Sequence, residues 1–342
     1  MISAHLPRLR EGATLTREEA ANAVRAMMRG EAEDRDIAEF LTLLAARGET
    51  DDELLGGAEA LRAEAIPFPG ERGDLLDTCG TGGDASGTFN ISTAVSFVVA
   101  AAGVRVAKHG NRSVSSRCGS ADLLEALGAA IDLGSEAAAR VLDETGFTFL
   151  YARRYHPAMK RVAAVRQSLG IRTLFNWLGP LANPARASHQ LLGIPDGNRA
   201  WGVARVLAGL GVTRGLVVHG AGGLDELALA PGNIAIETGA ALPEGKSWPV
   251  DPTSLGLPHA PVESLRGGDA NRNATILRGI LSGERGPARD AVVLNAAAAL
   301  TIAGRTATLE EGALLARDML DDGAARRTME GYVAASRREG AV

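Results

Sequence analysis

The chain has 342 residues, with 46% hydrophobic and 23% charged side chains, enough for about two ordinary domains and incompatible with a disordered or fibrous protein. Forty-one acidic against 36 basic residues leave a net charge of −5, and aromatic residues are only 4%. Both values argue against a protein that coats nucleic acid, which needs a basic excess and base-stacking platforms.

The first ten residues carry Pro7, Arg8 and Arg10 but no apolar stretch, so no export signal is read there. Thr16 and Glu19 form a capping box that opens a helix, and Gly30 closes it. Ile37, Phe40, Leu41 and Leu44 then fall on one helical stripe that ends at Gly48. Thr50 and Glu53 repeat the capping box ahead of Leu54, Ala58, Leu61 and Ala65. These three amphipathic helices need a partner for their stripes, either the rest of the chain or a second subunit. Pro67, Pro69 and Gly70 break the pattern, so we divide the chain into a small helical domain, 1–70, and a larger domain, 71–342.

Beyond the break, strands and helices alternate. Strands are expected at 74–78, 104–108, 147–151, 191–194 and 215–219, and helices at 92–102, 121–127, 135–145, 157–169 and 199–210. The last quarter is mainly helical and includes 288–303 and 309–321. Such alternation implies an α/β domain with a mostly parallel central sheet covered on both faces. The longest nearly apolar run, 94–104, is too short to cross a bilayer. The only cysteines, Cys79 and Cys118, make no CxxC pair, so neither a zinc site nor a disulfide framework is indicated. The expectation is a cytoplasmic protein without nucleic-acid or membrane partners.

Two loops carry the chemistry. The first, DTCGTGGD at 77–84, leads through Thr88, Asn90, Ile91, Ser92 and Thr93 into a helix. Strand, glycine loop and helix start together present backbone N–H groups to an anion. The spacing is neither GxGxxG nor GxxxxGK[ST], so a dinucleotide site or P-loop is not supported. The second loop, Lys108, His109, Gly110, Asn111 and Arg112, is followed by Ser113, Val114, Ser115, Ser116 and Ser120. It brings cations, an amide and hydroxyls to the carboxyl edge of the same sheet, where ligands of α/β proteins bind. A polyanionic ligand fits the pair of loops.

The combination of GTGGD at 80–84, TFNIST at 88–93, KHGNR at 108–112 and GSAD at 119–122 resembles the anthranilate phosphoribosyltransferase family. LEALG at 124–128, His156 and the helix through Arg166, RTLFN at 172–176 and GPLANP at 179–184 extend the resemblance. So do HGAGGLDE at 219–226, GGDA at 267–270 and LNAAA at 294–298, so that it covers essentially the whole chain. The resemblance implies the nucleoside phosphorylase/phosphoribosyltransferase-like fold, with segments near 165–188 joining the helical domain. It implies transfer of a 5-phosphoribosyl group from 5-phosphoribosyl 1-diphosphate to the amine of anthranilate, a step of tryptophan biosynthesis. It also implies phosphoribosyl-diphosphate contacts from Gly80, Gly83, Asp84, Thr88, 90–93, 108–116 and Ser120, and anthranilate contacts from Gly80, Asn111 and Arg166. Ser92, Asp225 and Glu226 are the implied Mg²⁺ residues, with two ions per subunit; paired carboxylates beside a diphosphate need a hard cation. His109 is the candidate catalytic group, and His156 and Pro180 are further candidates for the acceptor pocket. The helical stripes suggest a homodimer through the N-terminal domain. A nucleoside phosphorylase and a non-catalytic nucleic-acid-binding paralogue are the alternatives.

Overall fold

In the computed structural model, which describes residues 2–70, 73–113 and 117–341, local sequence chemistry sets the first four helices. The first, α1 (Leu6–Arg10), is too short to leave a periodic signal and was not expected. α2 (Arg17–Arg29) opens on the anticipated box: Glu19 N–H donates to Thr16 Oγ1 at 3.2 Å, and Thr16 N–H donates to Glu19 Oε2 at 2.9 Å. Gly30, with φ +72°, ends it in the left-handed conformation that glycine tolerates best. After α3 (Asp34–Arg47), Thr50 caps α4 (Asp51–Ala63) in the same way. Glu53 there is fully buried, and it accepts from Leu15 N–H, Thr50 N–H and Arg47. Thr50→Ala is therefore expected to cost about 1 kcal/mol, seen as a lower urea midpoint at unchanged slope.

The second part follows the alternation: β1 (Leu76–Gly80), α5 (Ile91–Ala101), β2 (Val106–Gly110), α6 (Ser120–Leu127), α7 (Ser135–Thr145) and β3 (Phe147–Tyr151). Next come α8 (Ala152–Tyr155), α9 (Lys160–Leu169), α10 (Leu174–Leu181), β4 (His189–Gly193), α11 (Ala200–Gly209) and β5 (Arg214–His219). The chain ends with β6 (Ile234–Gly239), β7 (Leu242–Ser247), α12 (Ala270–Leu281), α13 (Pro287–Ile302), α14 (Leu309–Asp321) and α15 (Ala324–Gly340). The helix expected at 157–169 is split, because Pro157–Met159 forms a tighter 3-10 turn before α9. β1 and β2 begin two residues later than expected and run to Gly80 and Gly110, so each loop motif starts inside its strand.

The strands form one sheet in the order β3-β2-β1-β4-β5-β6-β7. Pairing is parallel from β3 to β5 and antiparallel for β6 and β7. The β6–β7 hairpin was not foreseen: β7 contains Pro243 and Gly245, is largely exposed, and lies at the sheet edge, where an apolar alternation is not required. The inner strands are buried on both faces. Leu216 and Val218 join a core with α5, α7 and α13, whereas Val217 packs on the other face among α2–α4, α10 and α11. The apolar stripes of the N-terminal helices are thus covered partly by Val162, Val165, Leu174, Phe175 and Leu178 of the later helices. Among the described residues no helix is long and apolar enough to cross a membrane.

Candidate active site

The strand order reverses at β1, whose neighbours are β2 on one side and β4 on the other. In such a sheet the loops at this point diverge and leave a crevice at the carboxyl ends of the strands. Register puts Gly80 opposite Gly193, and Gly193 opposite Val218, so the ends of β1, β4 and β5 lie level.

The glycine loop is held from two sides. Gly82 N–H donates to Asp225 Oδ2 at 2.8 Å, and a Cβ on Gly80 would overlap that same oxygen. Arg172, from the connection between α9 and α10, donates to Gly82 O at 3.0 Å, and a Cβ on Gly83 would overlap its guanidinium. Asp84 turns back on the loop and accepts from Ser86 Oγ at 2.5 Å, while Ser86 Oγ also lies 3.3 Å from Thr88 Oγ1. Residues 87–89 are zipped to the turn before α12: Gly267 N–H donates to Gly87 O, and Phe89 N–H donates to Leu265 O. Asn90, expected to offer donors at the helix start, donates one amide N–H to Cys118 O (3.1 Å), and its Oδ1 accepts from Asn273 (2.9 Å). Ile91 and Thr93 are buried in the first turn of α5, and Thr93 Oγ1 has no partner among the described residues.

Lys108 joins the two loops. It is 2% exposed, and its ammonium donates to Thr78 O and to Ser92 Oγ (3.2 Å). Ser92 N–H donates to Glu226 Oε1 at 3.1 Å. Lys108, Ser92, Glu226, Asp225 and the glycine loop are therefore one cluster, as the sequence reading requires. Burial disfavours the Lys108 charge and lowers its pKa, while Asp77, Glu226 and Asp225 oppose that shift. Asp77 lies buried within β1. Its carboxylate accepts from Asn183 Nδ2 at 2.9 Å and from His109 N–H at 3.3 Å, and burial raises its pKa to about 6 against the pull of Lys108.

The Asp225–Glu226 segment follows β5 through a tight turn in which Gly222 and Gly223 both have positive φ. It is pinned from beneath by Asn295 of α13, which exchanges hydrogen bonds of 2.9 Å with both backbone groups of Leu227. Burial and, secondly, Asp225 push Glu226 up to about 8; burial and, secondly, Asp84 push Asp225 up to about 6. A bound cation would reverse both shifts, because it favours the charged carboxylates.

The basic loop is organised by Asp122 at the start of α6. Its carboxylate accepts from Ser113 N–H (3.1 Å), Gly119 N–H (2.8 Å) and Arg112 (2.9 Å). Burial alone would raise its pKa, but these donors outweigh burial and lower it. Arg112 also pairs with Glu125, so its guanidinium lies on α6. Asn111 caps Arg112 N–H at 2.8 Å, and Ser120 Oγ donates to Asn111 O at 3.4 Å. Val114, Ser115 and Ser116 lie outside the described residues.

His109 is 6% exposed and its Nδ1 lies 3.2 Å from Gly179 O. A carbonyl only accepts, so Nδ1 carries the proton and Nε2, without a partner among the described residues, keeps its lone pair. Burial and then the adjacent His156, whose ring is 5.1 Å away, hold His109 well below its usual pKa. Burial also lowers His156 to about 4. Arg166 lies over the Phe175 ring at 5.4 Å and has no hydrogen-bond or ionic partner among the described residues; burial alone lowers its pKa. A half-buried guanidinium with no carboxylate is a ready receptor for one. Pro180 sits on α10, between His109's partner Gly179 and the buried Cys79. Asp77, Asn183, Asp122 and Asn295 each fall inside a quoted motif, but sequence reasoning gave none of them a site-shaping role, because a motif does not show which backbone group its side chain will satisfy.

Residues 4–65 match a glycosyl transferase family, helical bundle domain, and residues 72–326 match a glycosyl transferase family, a/b domain. The chain is 51% identical over 326 residues to an anthranilate phosphoribosyltransferase of Roseiflexus castenholzii, covering 95% of each. The chain belongs to the anthranilate phosphoribosyltransferase family. It superposes on the family's Thermus thermophilus crystal structure with a TM-score of 0.91 at 46% identity, covering 97% of this chain and 99% of that one. The same fold recurs in the anthranilate phosphoribosyltransferase of Saccharomyces cerevisiae in complex with PRPP and Mg (TM-score 0.90, 24% identity, 98% of each chain). Membership accounts for the two-part architecture, a helical bundle followed by a mostly parallel α/β domain.

Proposed function

We propose that this protein is a Mg²⁺-dependent pentosyltransferase of tryptophan biosynthesis that moves the 5-phosphoribosyl group of 5-phosphoribosyl 1-diphosphate onto the amine of anthranilate. The carrying observation is the cluster at the sheet's reversal point, where Lys108, Ser92, the glycine loop and the Asp225–Glu226 pair meet. A polyanion would be held by Lys108, by the N–H groups of the glycine loop and by the loop that Asp122 shapes.

The buried carboxylate pair fits a hard cation. Among the described residues no three His, Cys, Asp or Glu groups converge on a metal site by themselves, and Mg²⁺ typically takes one or two carboxylates with substrate phosphates and water. Asp225, Glu226 and Ser92 would hold it, in our reading as two ions per subunit. When bound, it neutralises the departing diphosphate. The protein's own contribution is positioning. Arg166 and Asn111 grip the acceptor carboxylate, which orients the amine toward the ribose. An aromatic amine already carries its lone pair, and His109, neutral and weakly basic, is suited to orient the acceptor more than to abstract a proton.

We read residues 1–70 as the small domain, joined by the segments near 165–188, and 71–342 as the large one, working as a cytoplasmic homodimer through the helical domain. The core shared by α2–α4 with α9 and α10 supports the joining, and a chain with two buried cysteines and no CxxC pair suits a reducing compartment.

The test is purified protein with anthranilate, phosphoribosyl diphosphate and Mg²⁺, followed by loss of anthranilate fluorescence. Turnover is expected, and its absence refutes the assignment. Arg166→Ala should lower kcat/KM for anthranilate about 30-fold, the effect of about 2 kcal/mol for an unpaired carboxylate. An unchanged value removes Arg166 from the acceptor site.

A further inference from the structure

We infer that Arg172 is a positioning residue that sets the glycine loop for its polyanionic ligand from the acceptor side of the crevice. The inference rests on the proposed function and extends it to a residue outside both ligand loops.

Gly82 is gripped at both of its backbone groups. Its N–H is held by Asp225 Oδ2 at 2.8 Å, from the turn after β5, and its carbonyl by Arg172 Nη1 at 3.0 Å, from the connection between α9 and α10. A Cβ on Gly80 would overlap the Asp225 carboxylate, and one on Gly83 would meet the Arg172 guanidinium and displace it. Gly82 and Gly83 have φ of +66° and +76°, so the loop adopts a conformation that other residues resist.

In a trans peptide the C=O and the following N–H point in opposite directions. Fixing Gly82 O on Arg172 therefore aims the Gly83 N–H away from Arg172. That N–H has no acceptor among the described residues. A directed, unpaired N–H on a glycine turn is the element an anion site needs. Arg172 itself has no carboxylate partner among the described residues. It lies six positions after Arg166, so the segment that presents the acceptor's cation also latches the donor loop.

The experiment compares Arg172→Ala and Arg172→Lys with wild type. KM for both substrates, kcat and thermal stability are measured, together with calorimetric binding of inorganic diphosphate in the presence of Mg²⁺. Arg172→Ala should raise KM for phosphoribosyl diphosphate and weaken diphosphate binding by about 10-fold, the scale of one charge-assisted hydrogen bond. KM for anthranilate and the Tm should stay near wild type, and lysine should recover part of the loss. In the double variant Arg172→Ala/Gly83→Ala, the loss should be no greater than for Gly83→Ala alone, because both changes break one contact. Unchanged diphosphate affinity in Arg172→Ala, equal losses for both substrates with a lowered Tm, or additive losses in the double variant would each overturn the inference. A wild-type protein without turnover refutes instead the proposed function.

Discussion

Glu226→Gln is expected to reduce turnover by at least about 10²-fold, the scale seen when one preorganised electrostatic contact to a developing charge is removed. The same change should stabilise the ligand-free protein at alkaline pH. Glutamine keeps an acceptor for Ser92 N–H, which now bonds Glu226 at 3.1 Å, so the local fold has no reason to collapse. What it removes is a buried charge next to Asp225. The folded protein holds the Glu226 proton up to about pH 8, whereas the unfolded chain releases it near 4.5. Between those values the folded state binds more protons than the unfolded one, so stability falls as pH rises and the loss is complete above the folded pKa. Asp225, raised from 3.8 to about 6, adds a smaller loss of the same sign at lower pH. Denaturant unfolding of the metal-free protein at pH 5.5 and 8.5 should show this decline for wild type and a reduced decline for Glu226→Gln. Near-wild-type turnover, or an undiminished pH decline, would remove Glu226 from the role assigned to it.

The opposite charge carries the second large effect. Lys108→Ala should abolish binding of the donor substrate and destabilise the protein by about 3 kcal/mol, as happens when one partner of a buried charged set is deleted. Asp77, Glu226 and Asp225 all favour the Lys108 charge, and its ammonium bonds Thr78 O and Ser92 Oγ. Without it, Asp77 loses the one nearby positive charge that favours its carboxylate and keeps neutral donors, among them Asn183 and the His109 N–H. Adding Asp77→Asn to the Lys108 variant should therefore return part of the lost stability while binding stays lost. Guanidinium melts of the single and double variants decide the matter: a Lys108→Ala protein within about 0.5 kcal/mol of wild type, the range of ordinary surface changes, contradicts the electrostatic account.

The chemistry of the site was legible where it is written in short, local patterns. Gly80 to Asp84 and Lys108 to Arg112 each sit on a strand end and were read as anion-binding loops; Asp225–Glu226, on a glycine turn, entered through the family resemblance. What stayed hidden was the support. Asp122 reaches back to Ser113 N–H, Asn273 to Asn90, and Asn295 to Leu227 across 68 positions. An amide or carboxylate on a helix carries no sequence mark of the distant backbone group it will satisfy. The partners of Asn90 and Arg112 were hidden in the same way: Asn90 bonds Cys118 and Asn273, and Arg112 bonds Asp122 and Glu125.

Local chemistry along the chain set the helical start through two capping boxes, the α/β alternation through apolar runs and glycine stops, and the anion-binding character of both loops. Each depends on interactions within about four residues or on the periodicity of a single element. Tertiary structure alone decided the strand order, with β1 between β2 and β4, and hence that residues 80, 108 and 225 share one crevice. It also decided that β6 and β7 turn antiparallel at the edge. The physical reason is that strand neighbours are chosen by burying whole faces of helices and sheet together, a sum over the entire chain that no single segment records.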